Sequence, residues 1–448
     1  MSNREFRKIV FIFVIAFIIS FLYKIFVLPL NGDEIWCYGF SYNITKGLVI
    51  YRDFNVMVTP FYFFLSSFFI HVFGNYLISI NLFDCILIGF LSIILYKRLG
   101  WYKLLLFFPI MIIYYFPSYN YFCMFLLFII IYLLDKNDGE YCDFISFLAG
   151  LILISKQSIG ILMLIPVLFY SKRKFISLFI YFIPFVIVSV YLFSQGAFFD
   201  FINYCFLGMV DFGESNREFS IFFLLEVLLC FYLVIHLFKE KFRNKKYLFI
   251  LMFQINSYPI FDAGHFVVCL LPVVYCIVEN FDIMKLRLYY RFLLMSVVWL
   301  IFLFFVFKTI FMLDYNIDLN KEKFWYLRNN NGGWYGIEKE SKVIKDYVYQ
   351  YDNFFIIGVS SYTIKLYNDM PIGRYDLLSN GNLGYHGDIK IIKEIDQICR
   401  DKTCVFFVEE QKFEKYSQFN EKIYDYVLNN FHKIGGNDYF FVYDNKNT

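Results

Sequence analysis

Apolar and polar positions along this chain come in blocks rather than in residue-by-residue alternation. An apolar run over residues 9–30 follows Arg4, Arg7 and Lys8. At about 1.5 Å per helical residue it is long enough to cross a hydrocarbon core of roughly 30 Å. It lacks a small-residue cleavage site and exceeds a signal-peptide core, so it reads as a retained first span. A polar, acidic interval at 31–60 follows, then an apolar segment at 61–73 that is short for a span and reads as an interfacial or re-entrant helix. Further apolar runs occupy 76–96, 104–116, 121–134, 144–154, 159–170, 175–193, 219–238, 247–260, 266–278 and 292–313.

The basic residues set the register. Lys97, Arg98 and Lys103, the SKRK run at 171–174, the KEKFRNKK run at 239–246, and Lys285, Arg287 and Arg291 fall on one side when the N-terminus is cytoplasmic, as the positive-inside rule requires. The pattern predicts an α-helical polytopic membrane protein of about eleven spans in the plasma (inner) membrane, with its N-terminus cytoplasmic. From residue 314 the chain turns polar and charged, with short apolar strands at 354–359, 405–408 and 439–442 between helical patterns at 341–351, 389–400 and 413–431. The expected division is therefore a transmembrane domain over 1–313, with its first outer loop at 31–75, and an extracytoplasmic α/β domain over 314–448.

Composition agrees with the pattern. The 448 residues are 60% hydrophobic and 24% aromatic, with a mean hydropathy of +0.57, far from the average of a soluble protein. A formal net charge of +3 spread over short clusters excludes a nucleic-acid surface. Ten cysteines show no CxxC or Cys/His spacing, so no zinc site is indicated, while Cys399 and Cys404 lie where a disulfide is permitted. No GxGxxG or GxxxxGK[ST] opens a helix of the C-terminal domain.

The chemistry is sought among polar groups that this topology brings to the outer face. Asp33 and Glu34 directly follow the first span, and Arg52 and Asp53 share their loop. Lys156 interrupts an apolar stretch in the sequence SKQS, while His265 and Asp262 lie in FDAGH at the start of a later run. Arg217 and Asp211 belong to another outer loop. An ionised lysine at bilayer depth costs roughly 2.5 to 3.5 kcal/mol, so it calls for an anionic partner, and a phosphate would serve. The plain alternatives are a solvated acidic pair, a snorkelling lysine and an aspartate that only caps a helix.

Taken in order, the acidic pair after the first span, GLVIYRDF at 47–54, Thr59-Pro60 before an aromatic helix, Phe73-Gly74, and SKQSIG at 155–160 resemble polytopic GT-C-type glycosyltransferases. The likeness is to the protein O-mannosyltransferase and aminoarabinose transferase superfamily, with its bacterial polysaccharide-modifying members. It implies an inverting hexosyl or pentosyl transferase that uses a polyprenyl-phosphate-linked sugar at the outer face. It also implies that Asp33 is the catalytic base and that Lys156 and His265 approach the donor.

Physical chemistry fits that implication. A phosphate leaving group, with its second pKa near 6, departs without a general acid if cations hold its charge. One base and a cationic clamp therefore suffice: Asp33, assisted by Glu34, with Lys156, Arg52, His265 and Arg217 as phosphate ligands and Asp53 and Asp262 as substrate contacts. No cofactor is required, although Asp33 and Glu34 leave room for a divalent metal. The acceptor, whether glycan, lipid or protein, is not readable from the chain. Two other classes stay open: a polysaccharide polymerase or ligase, and a transporter, for which Asp84 within a span is the candidate charge.

Overall fold

The structure is a computed structural model that describes residues 2–26, 32–113, 118–135, 142–215, 220–282, 285, 287–312, 314–319, 326–329, 337–358, 361–368, 370–376, 378, 382–409, 420–436 and 440–446. In chain order it begins with helices α1 (Asn3–Phe26), α2 (Gly32–Thr45), α3 (Phe61–Phe73), α4 (Leu77–Ile113), α5 (Tyr119–Leu134), α6 (Cys142–Leu153), α7 (Gln157–Tyr170) and α8 (Lys174–Ser194). Short α9 (Phe198–Ile202) and α10 (Met209–Ser215) precede α11 (Ile221–Lys239), α12 (Lys246–Phe253), α13 (Ala263–Asn280) and α14 (Leu288–Met312). Strands then enter: β1 (Asp314–Leu319), β2 (Tyr326–Asn329), α15 (Ile337–Val348), β3 (Asn353–Ile357), α16 (Ser361–Tyr367), α17 (Gly387–Asp401), β4 (Cys404–Glu409), α18 (Glu421–Asn430), β5 (His432–Gly436) and β6 (Phe440–Asp444). Among the described residues six helices are long and apolar enough to cross a membrane, and four more are apolar but shorter.

Two compact units form. The first comprises Met1–Cys37, Pro60–Val188 and Glu218–Asn330. Within it α4 is one run of backbone hydrogen bonds but two arms, because Gly100 has φ +74° and breaks the helix. A straight helix would separate Asp84 from Ile113 by about 44 Å. Yet Lys24 reaches Asp84 at 3.4 Å and the Tyr23 hydroxyl donates to the Ile113 carbonyl at 3.0 Å, both from one turn of α1. The chain therefore folds back at Gly100, where the sequence places a basic turn between two apolar runs. The segment 61–73 is a helix of 13 residues, about 20 Å long and short for a span.

One residue from each of two basic clusters joins an ionic knot. Arg98 at the bend of α4 bridges Asp135 at 2.7 Å and Glu279 at 3.2 Å, and Lys246 also pairs with Glu279. The knot joins the end of α5, the start of α12 and the end of α13. The Lys24 side chain is 3% exposed and turned inward to Asp84, which also accepts from the Tyr62 hydroxyl at 3.4 Å. An ion pair with a further donor costs less to bury than either charge alone.

The second unit is discontinuous, comprising Tyr38–Thr59, Ser189–Arg217 and Asn331–Thr448. Its sheet has the order β3-β4-β6-β5, with β3 parallel to β4 and the other pairs antiparallel. Strand β4 is buried along its whole length, as a strand covered on both faces must be, and Ile391 and Ile395 of α17 and Ile423 and Val427 of α18 pack in its core. The strands and helices expected from the apolar alternation are present, except that 413–419 lie outside the described residues. The additions are α16 and β5, a largely exposed strand whose HKIGG sequence has no period-two pattern.

Candidate active site

Four helix ends meet at one pole of the first unit. Lys156 occupies the non-helical link between α6 and α7, with φ −152° at the N-cap of α7. The link is tight: a Cβ on Gly160 would lie 2.1 Å from the Leu153 Cα, so the glycine of SKQSIG allows the two helices to meet there. Lys156 is 8% exposed. Its ammonium donates to Asn120 Oδ1 at 2.9 Å, Asn256 Oδ1 at 2.7 Å and the Asn256 carbonyl at 3.1 Å. Three donors meet three neutral oxygens. Its hydrogen bonds are satisfied, but no carboxylate among the described residues lies within ion-pair distance, so the positive charge remains available to an anion.

Asn120 sits in the first turn of α5 and Asn256 on the 3-10 turn Gln254–Ser257 after α12. Asp262 caps α13, accepting from the His265 backbone N–H at 2.8 Å, and the same oxygen meets His265 Nδ1 at 3.0 Å. It therefore both starts the helix and orients the imidazole, turning Nε2 away from itself. Desolvation works against ionisation of Asp262, but the hydrogen bonds from His265 and the Gly264 N–H hold it below the ordinary carboxylate range.

Asp33 completes the pole. Expected in an irregular loop, it lies in the first turn of α2, where a carboxylate suits the helix dipole. Burial raises its pKa, His265 pulls it back, Asp262 pushes it up and Lys156 pulls it down. Asp33 is thus a desolvated carboxyl within electrostatic reach of His265, Asp262 and Lys156. Glu34, one residue on, sits about 100° around the helix and is 7% exposed, with its charge felt by Asp84 instead. Among the described residues no three of His, Cys, Asp and Glu converge as a metal shell.

The structure thus brings together Asp33, Lys156, Asp262 and His265, all in the first unit. Arg52 and Asp53 belong to the second, where they bind each other through two hydrogen bonds of 2.8 and 2.9 Å and Arg52 also donates to the Gln195 carbonyl at 3.1 Å. The Arg52 hydrogen bonds hold Asp53 below the usual carboxylate range. Arg217 lies outside the described residues. The sequence reading missed Asn120, Asn256 and Glu226. Asparagines in apolar runs leave little signal, but Glu226 is a lone acid inside one. It is 5% exposed on α11 with neither carboxyl oxygen hydrogen-bonded, beside Ser257 and Cys269.

The pole holding Asp33 and Lys156 and the ionic knot lie at opposite ends of the same helices. Asn120 and Asp135 bracket α5 over about 22 Å, and His265 and Glu279 bracket α13 over about 21 Å. No protein-family model matches this chain, and no curated protein does. Solved structures do. The apo structure of ArnT from Cupriavidus metallidurans matches with a TM-score of 0.58 at 11% identity, over 99% of this chain and 98% of that one. The chain has the ArnT fold. A second structure of that protein, bound to undecaprenyl phosphate, matches with a TM-score of 0.52 at 12% identity, over 100% and 99% of the two chains. The match runs over nearly the whole chain and so takes in both the apolar helices and the small sheet.

Proposed function

We propose that the protein is a glycosyltransferase that moves a sugar from a polyprenyl-phosphate donor to an extracytoplasmic acceptor, with inversion at the anomeric carbon. The observation that carries this reading is the desolvated Asp33 carboxyl sharing one pole with the unneutralised Lys156 charge and the Asp262-oriented His265. The undecaprenyl phosphate in the second ArnT structure supports a lipid-phosphate ligand for the same fold.

In this reading the Asp33 carboxylate accepts the proton of the acceptor hydroxyl as that oxygen bonds to the anomeric carbon. The bond from that carbon to the phosphate oxygen breaks, and its electrons leave with the lipid phosphate. Lys156 stabilises the departing charge electrostatically, in a low-dielectric site where such stabilisation is large. Since all three Lys156 donors are engaged, the phosphate displaces one neutral oxygen or is held by charge across it. When doubly protonated, His265 donates from its second ring nitrogen to the same group. The pole faces the outside, with the N-terminus and the ionic knot cytoplasmic, as the basic residues of the knot favour, and the C-terminal segment is extracytoplasmic.

The test is incubation of the purified protein with a panel of polyprenyl-phosphate sugars, together with cell-envelope extract as the source of acceptor, and assay for release of lipid phosphate. The reading expects release with one donor, lost in Asp33→Asn while membrane insertion is retained. Full transfer by that variant overturns the base assignment.

A further inference from the structure

Outside the site already described, the second unit holds three described cysteines, and two of them meet. Cys205 is buried beside the Val56 carbonyl, at 3.9 Å. Cys399, on the last turn of α17, and Cys404, the first residue of β4, are both free thiols that perturb each other, and the Cys404 thiol donates to the Lys402 carbonyl at 3.8 Å. A third residue holds this corner. The Asn445 side chain accepts from the Cys404 N–H at 2.8 Å and donates to the Cys399 carbonyl at 2.6 Å and the Lys402 carbonyl at 2.8 Å. The backbones on either side of the turn are therefore fixed by one amide, which limits how far the two side chains can move apart.

We propose that Cys399 and Cys404 form a disulfide in the mature protein, a covalent staple between the end of α17 and the start of β4. This rests on the reading that the C-terminal segment lies outside the cytoplasm, where disulfides persist. The bond forms by exchange with a dithiol-oxidising protein disulfide. Cys399, partly exposed, attacks one sulfur of the oxidant and releases the other as a thiol. Buried Cys404 then attacks the Cys399 sulfur and releases the second thiol. Two protons and two electrons pass from the cysteines to the oxidant, which leaves as its dithiol.

Trypsin cuts after Arg400 and Lys402, between the two cysteines, so a bond links the peptides 394–400 and 403–412. Cells expressing the full-length protein are treated with an alkylating reagent before lysis, and the non-reduced digest is read by mass spectrometry. In parallel, purified reduced protein is exposed to oxidised glutathione. The linked pair is expected as the main form in both samples, absent after reduction and absent in Cys404→Ser. Linkage with glutathione but free thiols in cells overturns the proposal by placing the segment in a reducing compartment, and so contradicts the topology rather than the geometry. Free thiols in both overturn the pairing itself. Neither outcome bears on transfer by Asp33.

Discussion

Asp33 and Glu34 are neighbours in sequence with different surroundings, and helix geometry is the reason. Residues one apart do not share a helix face, so one carboxyl feels His265 and Lys156 while the charge of the other is felt by Asp84. If Asp33 is the base, transfer needs it ionised and is lost as pH falls through its pKa. Burial raises that pKa above the ordinary value, so the acidic limb of the rate profile lies above the roughly 3.9 of a free aspartate. His265 pulls in the other direction. His265→Gln removes that pull and leaves the Asp262 charge in place, so the limb is expected to move to higher pH. A pH–rate profile for wild type and variant checks the sign, and a limb that stays or moves down disproves the coupling. Lys156→Met is expected to lower turnover by about 10²-fold or more while leaving insertion intact, the order seen when one preorganised stabilising group is removed. The acids and the lysine were legible in the sequence as interruptions of apolar runs. Asn120 and Asn256 were not, because their role exists only where three chain segments meet around one ammonium.

At the scale of elements, the α6–α7 link shows how a short motif depends on close packing. A side chain at residue 160 has no room, since its Cβ would lie 2.1 Å from the Leu153 Cα and 2.6 Å from its N. The Gly160 carbonyl in turn accepts from the Tyr181 hydroxyl at 2.5 Å. Gly160→Leu must push α7 off α6 and take Lys156 with it. The expected result is a destabilisation of about 1 to 3 kcal/mol or more, the usual cost of overpacking, seen as a lower unfolding midpoint in detergent. Transfer should fall further than stability accounts for, because the ammonium loses its place. The apolar blocks made these helices legible, down to the 13-residue segment at 61–73. What they hid is that 31–60 is partly helical: Asp33 and Glu34 open α2 and Ile35 is fully buried, a run too mixed in polarity to announce a helix by periodicity.

For the whole molecule the divergence between chain order and compact unit matters most. The sequence divides at the change of composition near residue 314, yet the unit that carries the four-stranded sheet also draws in Tyr38–Thr59 and Ser189–Arg217. Specific bonds hold these pieces to the C-terminal segment. Asn43 donates to the Ile372 carbonyl at 2.7 Å and accepts from its N–H at 3.1 Å, Asn55 donates to the Arg374 carbonyl at 2.9 Å, and Asp211 accepts from the His386 N–H at 2.7 Å. Gly39 leaves no room for a Cβ against Ile372 and Tyr362. A composition profile sees polarity and not pairing, so such long-range bonds leave no trace in it. Their expected consequence is that the C-terminal segment does not fold by itself. Expressed alone, residues 331–448 expose Tyr362 and Ile372, each 1% exposed in the full chain, and leave backbone groups that Asn43 had satisfied, at about 1 to 3 kcal/mol for each buried group left unpaired. Set against a domain stability of about 5 to 15 kcal/mol, several such losses remove most of it. The isolated segment is expected to lack a cooperative unfolding transition and dispersed amide resonances. Asn43→Ala in the full-length protein should reproduce part of the defect as faster proteolysis of the C-terminal segment with the membrane helices intact. A sharp transition in the isolated segment would show instead that its sheet and two packed helices suffice.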